Sequence, residues 1–338
     1  MMAASDAFAT MRGRRLAILG GLGFIGSTLA RRLTESGADI LVIDSEAAGS
    51  GANAANLRGF ENKLEFVRGD IRDAAMLNRH LAGCEVIFNL AAESSHSGSM
   101  DAPLLDLDVN AGGSLTVLES CRKVAPGALI VFTSTRQVYG RPSYLPVDEN
   151  HPVRPVDVNG ISKHAAEQLH QLYYSVYGQR TIVLRLTNVF GPCMRIADAR
   201  QTFLGEWLRR TLIDERIEVW GGGQLRDLTF VEDIAEALAL VAQTEKAEGS
   251  ILNVGGCKPT SLLALAEQLV QLGKRGGYDI KPFPASRARI DIGDYYSADA
   301  PFRNFTGWAP RTPLPEGLKR TFDYFESHFA DYTGASAA

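Results

Sequence analysis

Four glycines and one acid carry the clearest chemical signal in the chain. The apolar run Leu16-Ala17-Ile18-Leu19 leads into Gly20-Gly21-Leu22-Gly23-Phe24-Ile25-Gly26. A second apolar run, Ile40-Leu41-Val42-Ile43, ends at Asp44, eighteen residues after Gly26. Glycines permit a tight turn and let backbone N–H groups approach a pyrophosphate at a helix N-terminus. A carboxylate after the second strand accepts hydrogen bonds from both ribose hydroxyls of an adenosine and repels a 2′-phosphate. The spacing therefore predicts a dinucleotide site that prefers NAD to NADP, built on Gly20, Gly23, Phe24, Ile25, Gly26 and Asp44. The plainer alternative is a β–α turn whose glycines serve only helix–strand packing.

These residues need a strand–turn–helix–strand frame, and the sequence supplies it repeatedly. The segment Ser27 to Ser36 is amphipathic and closes at Gly37. Further strands are expected at Leu64–Val67, Val86–Ala92, Leu129–Phe132 and Ile182–Leu186. Long helical patterns run from about Leu104 to Val124 and from Ile161 to Tyr177. Repeated βα units with apolar strands predict an α/β, doubly wound, mostly parallel sheet of Rossmann type. After Gly191-Pro192 the alternation weakens. Helices are expected at 198–214, 232–244 and 262–272, and a strand at 217–220. The C-terminal part reads as a smaller, irregular α/β substrate lobe over the carboxyl ends of the strands, where such sheets bind ligands. The expected division is a disordered tail over 1–13, an NAD-binding Rossmann domain over 14–190 with part of 225–255, and a lobe mainly over 191–330.

The bulk properties set limits. With 338 residues, 45% hydrophobic and 22% charged, the chain has the composition of a globular protein. A net charge of −4 points to neither nucleic acid nor an anionic membrane as partner. Cys84, Cys121, Cys193 and Cys257 follow no metal-binding spacing, and each lies in or beside an apolar run. They read as free thiols in a reducing, cytoplasmic setting, and no metal site is expected. No apolar stretch is long enough to span a bilayer.

Seven ordered segments resemble the extended short-chain dehydrogenase/reductase family of nucleotide-sugar epimerases and dehydratases, from about Arg14 to Phe325. They are the glycine turn, Gly69-Asp70-Ile71-Arg72-Asp73, Asn89-Leu90-Ala91-Ala92-Glu93-Ser94, Thr133-Ser134-Thr135-Arg136-Gln137-Val138-Tyr139-Gly140, Arg185–Pro192, Arg226–Asp233 and Gly307-Trp308-Ala309-Pro310. By that resemblance, Asp70 and Ile71 flank an adenine, and Leu90, Ala91 and Ala92 line the dinucleotide. Lys163 binds the nicotinamide ribose. Thr135 meets the reacting sugar oxygen. Asn188, Arg226 and Arg289 hold a UDP- or dTDP-linked hexose or hexuronate, and Glu93 and Arg136 stand at the substrate mouth. Planar, permanently charged guanidinium forks suit a diphosphate; a surface ion pair such as Arg226 with Asp227 is the alternative. The family also implies a homodimer formed through helices 104–124 and 160–177.

One position departs from the family. Its chemistry uses a tyrosine four residues before the lysine, and here that position is Asn159. An amide does not act as a general base near neutral pH. Three readings follow: another group or water moves the proton, the protein binds without efficient turnover, or the substrate loses its proton easily. His96, in the loop after a cofactor-lining strand, is a candidate replacement or else an exposed loop histidine. The expected reaction is C4 epimerisation by transient oxidation, with impaired catalysis or a same-fold decarboxylase or reductase as alternatives. Arg136 and Gln137 replace the acidic pair of the 4,6-dehydratases and argue against that reaction.

Overall fold

The computed structural model describes residues 7–198, 202–283 and 291–334. A seven-stranded sheet organises the chain, in the order β11-β6-β5-β4-β1-β2-β3, with every pairing parallel. The strands are β1 (Arg15–Leu19), β2 (Asp39–Asp44), β3 (Glu65–Arg68), β4 (Val86–Asn89), β5 (Leu129–Thr135), β6 (Thr181–Leu186) and β11 (Ile251–Val254). Helix α1 (Phe24–Glu35) and helix α8 (Val231–Val241) pack against each other on one face. On the other lie α2 (Ala74–His80), α5 (Gly113–Val124) and α6 (Val158–Tyr177).

Side-chain alternation explains the two-faced burial. Leu16 and Ile18 of β1 join one core cluster with Leu29, Leu33, Ile234 and Leu238. Ala17 and Leu19 join a second cluster with Leu77, Leu118 and Cys121. Strands buried on both faces read as continuous apolar runs, as these do.

The expected helix at 104–124 is interrupted. It comprises α4 (Pro103–Leu107), a π-helical turn over Asp108–Gly112, and α5. The lobe forms around α7 (Phe203–Leu212), α9 (Leu262–Gly273) and the parallel pair of β8 (Arg216–Trp220) with β13 (Gly277–Lys281). The C-terminal helix Leu314–Thr333 completes its core with Leu318, Phe322 and Phe325. Arg58 pairs with Asp331 at 2.8 Å, tying that helix to the Rossmann unit.

The expected tail over 1–13 needs correction. From Ala7 onward the chain is packed: Ala7, Phe8 and Met11 are buried in the core cluster of α1 and α8. The Arg32 guanidinium lies 5.0 Å from the Phe8 ring centroid, and Gln243 Nε2 donates to the Ala7 carbonyl at 2.8 Å. Apolar side chains spaced for one short turn supply the burial that a polar average conceals.

Candidate active site

β1 is flanked by β2 on one side and β4 on the other, so the strand order reverses there. Crevices at the carboxyl ends of such strands hold ligands. A cavity of about 680 Å³ opens at this point and continues toward the lobe. At its first end Gly20 has φ +80°, and a Cβ there would lie 2.8 Å from Ala91 Cα. A Cβ on Gly26 would lie 2.3 Å from the Gly20 carbonyl oxygen, so strand turn and helix pack closely. Gly23 caps α1 without a side-chain hydrogen bond, leaving that helix end to an anion from the cavity. Asp44, at the end of β2, is buried; its Oδ2 accepts the Leu22 N–H and its Oδ1 the Glu46 N–H, both at 3.0 Å. Burial pushes its carboxyl upward from the ordinary range, against those two hydrogen bonds. Each oxygen keeps acceptor capacity for a hydroxyl. Asp70 differs: Arg72 Nη2 holds its carboxylate at 2.6 Å and lowers it below the usual range, so its charge is already met within the chain.

In the middle of the cavity, β5 delivers Thr135 and α6 delivers Asn159 and Lys163. Asp157 caps α6 by accepting the Gly160 N–H at 2.7 Å, which fixes the helix start and sets Asn159 and Lys163 one turn apart. Asn159 Nδ2 donates to the Glu93 carbonyl at 2.7 Å and to Asp106 Oδ2 at 3.0 Å. Lys163 Nζ donates to the Thr133 carbonyl at 3.0 Å. Burial pulls the Lys163 ammonium down to about 8, opposed by nearby Asp106 and Glu167. Thr135 Oγ1 accepts the Gln137 N–H at 3.2 Å. His96 opens the short helix α3 (His96–Asp101), and its Nδ1 lies 3.3 Å from Asp157 Oδ2. Burial pushes Asp157 upward, but His96, the Gly160 N–H and Gln137 outweigh it and hold the carboxyl below its ordinary range. His96 lines the cavity and its side chain is 35% exposed, so it is not a free loop histidine.

Basic residues line the far end. Arg136 donates to Gln137 Oε1 and to Asn188 Oδ1, each at 3.0 Å. Asn188, in the short strand β7 (Asn188–Phe190), donates its Nδ2 to the Asp227 carbonyl at 3.2 Å. Arg226, in β9 (Leu225–Arg226), is buried, donates to the Leu225 carbonyl at 2.8 Å and reaches Asp291 at 3.8 Å. Burial, aided by Arg136, lowers the Arg226 guanidinium to about 10.

Every expected site residue among the described ones lines this cavity: Gly20, Gly23, Phe24, Ile25, Gly26, Asp44, Asp70, Ile71, Leu90, Ala91, Ala92, Glu93, Thr135, Arg136, Asn159, Lys163, Asn188 and Arg226. Arg289 lies outside the described residues. Sequence reasoning missed Asp106, the buried partner of Asn159, and the lobe residues Trp220, Phe283 and Arg210 on the cavity wall. Trp220 runs into Gly221-Gly222-Gly223, a local signal for a loop at a ligand; Asp106 lies mid-helix and carries no such mark. Among the described residues no group of three or more His, Cys, Asp or Glu side chains could hold a metal, and no helix is long and apolar enough to cross a membrane.

Residues 16–255 match the model of the NAD dependent epimerase/dehydratase family. A putative UDP-glucose 4-epimerase of Methanocaldococcus jannaschii is 33% identical over 322 residues, 92% of this chain and 98% of that protein. UDP-glucuronic acid decarboxylase 1 of Xenopus tropicalis is 30% identical, over 92% of this chain and 72% of that one. Among solved structures, an epimerase from Methanothermobacter thermautotrophicus superposes with a TM-score of 0.90 at 27% identity, covering 98% of this chain and 97% of its own. The Thermus thermophilus UDP-glucose 4-epimerase in complex with NAD gives a TM-score of 0.81 at 27% identity, covering 92% and 98%. The chain belongs to the NAD dependent epimerase/dehydratase family, the extended short-chain dehydrogenase/reductases.

Proposed function

We propose that this family member is an NAD-dependent nucleotide-sugar epimerase that inverts C4 by transient oxidation. The observation that carries this reading is the continuity of one cavity from the Gly20–Gly26 turn and Asp44, past Thr135 and Lys163, to Arg226. The Rossmann part binds the cofactor and the lobe binds the substrate. Gly20, Gly23, Phe24, Ile25 and Gly26 seat the pyrophosphate of NAD; Asp44 binds the adenosine ribose; Asp70, Ile71, Leu90, Ala91 and Ala92 line its adenine and dinucleotide walls. Bound NAD supplies reversible hydride acceptance, which leaves no net redox change. Lys163, fixed by the Thr133 carbonyl, holds the nicotinamide ribose. Thr135 bonds the sugar hydroxyl, Glu93 lines the sugar pocket, and Arg226 with Asn188 and Arg289 grips the diphosphate.

Proton transfer falls to a group other than residue 159. The Asn159 amide is committed to Glu93 and Asp106, and an amide has no usable basicity. His96, with Nδ1 3.3 Å from Asp157, is the imidazole on the cavity wall placed to take the hydroxyl proton and return it, since a carboxylate neighbour orients the ring.

The reading includes a homodimer. Large exposed apolar side chains gather on α4, α5 and α6, among them Leu104 at 81% exposure, Leu107, Leu115, Ile161, Leu172 and Val176. Exposed apolar side chains on these neighbouring helices support an interaction surface there. Free thiols at Cys84, Cys121, Cys193 and Cys257 support a reducing, cytoplasmic setting.

Native mass spectrometry of the purified protein, followed by NMR of UDP- and dTDP-hexoses and hexuronates incubated with it, tests the proposal. Bound NAD and C4 inversion are expected. A chain that takes up neither NAD nor any nucleotide sugar refutes it.

A further inference from the structure

Arg136 is a charge in this cavity that the described residues leave without a carboxylate partner. It follows Thr135 directly, in the turn that ends β5. Its two hydrogen-bond partners, Gln137 Oε1 and Asn188 Oδ1, are neutral amides, and its guanidinium lies 5.3 Å from the Tyr295 ring centroid. Among the described residues no carboxylate comes within ion-pair distance of it, and its remaining N–H groups have no acceptor. The acids nearby are turned to other groups. Asp157 accepts from Gly160 and Gln137 and faces His96. Asp227 Oδ2 accepts the Ser297 N–H at 3.0 Å and its hydroxyl at 2.9 Å, and its Oδ1 has no hydrogen-bond partner among the described residues. Asp291 sits by Arg226. The contrast within the molecule is Arg185, more deeply buried than half-buried Arg136, whose fork holds Glu167 at 2.8 and 2.6 Å. Burial pulls the Arg136 guanidinium down from its ordinary value, against the opposing pull of Tyr295, Asp227, Asp157 and Asp291.

We propose that the sugar bound beside Thr135 is itself anionic, a nucleotide-linked hexuronate, and that Arg136 recognises its carboxylate. This rests on the nucleotide-sugar reading above. There the diphosphate answers Arg226, which leaves Arg136 facing the hexose. The ring hydroxyls of a neutral sugar accept hydrogen bonds but do not neutralise a desolvated cation. A carboxylate on the ring carbon next to C4 does so, and its two oxygens match the guanidinium fork. Asn188 is the positioning residue. Its Nδ2 is anchored on the Asp227 carbonyl, which turns Oδ1 toward Arg136 and aims the fork.

Calorimetry with the NAD-saturated protein tests the inference, using glucuronate, glucose and sugar-free diphosphate ligands, each as the UDP and the dTDP form. The glucuronate conjugate of the preferred nucleotide is expected to bind at least ~10-fold tighter than its glucose counterpart, the low end for a charge-assisted contact. Arg136→Met is expected to abolish that preference while sugar-free diphosphate keeps its affinity to within about twofold. Equal or weaker binding of the glucuronate conjugate by the natural chain overturns the inference but leaves the nucleotide-sugar reading standing. An Arg136→Met protein that loses diphosphate affinity as strongly as glucuronate affinity also overturns it, by making Arg136 a diphosphate ligand. Failure of every ligand to bind removes the nucleotide-sugar reading and this inference together. The comparison on the natural chain needs no variant, so misfolding of Arg136→Met does not spoil the test.

Discussion

Replacing Asn159 with tyrosine asks whether the amide marks a vacant phenol position or a built part of the site. Asn159 is 2% exposed, and its Nδ2 serves both the Glu93 carbonyl and Asp106 Oδ2. Asp106 is 2% exposed as well, and its Oδ1 has no hydrogen-bond partner among the described residues. Asn159 is thus the hydrogen-bond partner Asp106 has there. A tyrosine carries its hydroxyl at the far end of a ring and places no donor where Nδ2 stands. The change removes one bond to a carbonyl, worth roughly 1 kcal/mol, and one to a carboxylate, worth roughly 1.5–3 kcal/mol. Asn159→Tyr is therefore expected to destabilise the fold by about 2.5–4 kcal/mol and to slow turnover rather than raise it. The readouts are the urea midpoint, at constant slope, and the epimerisation rate by NMR. In an Asp106→Leu background the same change should cost less by ~1.5 kcal/mol or more, because the carboxylate that would be stranded is absent. An Asn159→Tyr protein of unchanged midpoint and higher activity would refute this account and show that the pocket is still shaped for a phenol.

Two further outcomes follow from other parts of the molecule. Asp44→Ala removes the acceptor of the Leu22 and Glu46 N–H groups along with the proposed ribose ligand, so NAD affinity should fall and discrimination against NADP relax in parallel titrations; tighter NADP than NAD binding by the natural chain would contradict the proposed role. His170 is fully buried, stacked on Phe132 with centroids 4.4 Å apart, and burial lowers its imidazole from 6.5 to about 4. The unfolded chain therefore binds more protons than the folded one between those values, so stability falls as pH drops from about 6.5 to 4, by on the order of 3 kcal/mol from this group. His170→Phe should flatten that part of a stability-versus-pH curve measured by denaturant midpoint, and an unchanged slope would show that other groups govern it.

What the sequence revealed about this site was local. The glycine turn, the strand before it and Asp44 lie within thirty residues, and their spacing carries their geometry. The Asn159–Lys163 pair is one helical turn, legible once the helix start at Asp157 is recognised. What escaped depends on distant segments meeting. β11 joins the sheet beside β6 only after the chain has passed through β8, β9, β10 (Leu228–Phe230) and α8. Three of its four residues are apolar, but nothing in so short a run names β6 as its neighbour. Asp106 faces Asn159 from 53 positions away, and no periodicity encodes that contact. His96 appeared as a loop residue because nothing local shows that Asp157, 61 positions along the chain, comes within 3.3 Å.

The two ends of the cavity obey one rule with opposite signs. At the first end a buried carboxylate, Asp44, is satisfied by neutral N–H donors and has room for neutral hydroxyls, so a ligand bringing a phosphate there meets an unscreened like charge. At the second end the Arg136 guanidinium is oriented by two neutral amide oxygens, so under the inference above a ligand bringing no charge there leaves the cation without a counter-charge. In both places the chain orients a charged group with uncharged partners and leaves its neutralisation or its repulsion to the ligand. That arrangement converts desolvation into selectivity, because the wrong ligand is penalised by the cost of an unmet charge rather than by the loss of a contact. It also accounts for a pocket that dispenses with its phenol. Lys163 is held by the Thr133 carbonyl with Asp106 and Glu167 nearby, His96 lies 3.3 Å from Asp157, and the Asn159 amide is bonded to Glu93 and Asp106, so under the proposed reaction Asn159 belongs to the network that fixes the pocket rather than to the proton transfer.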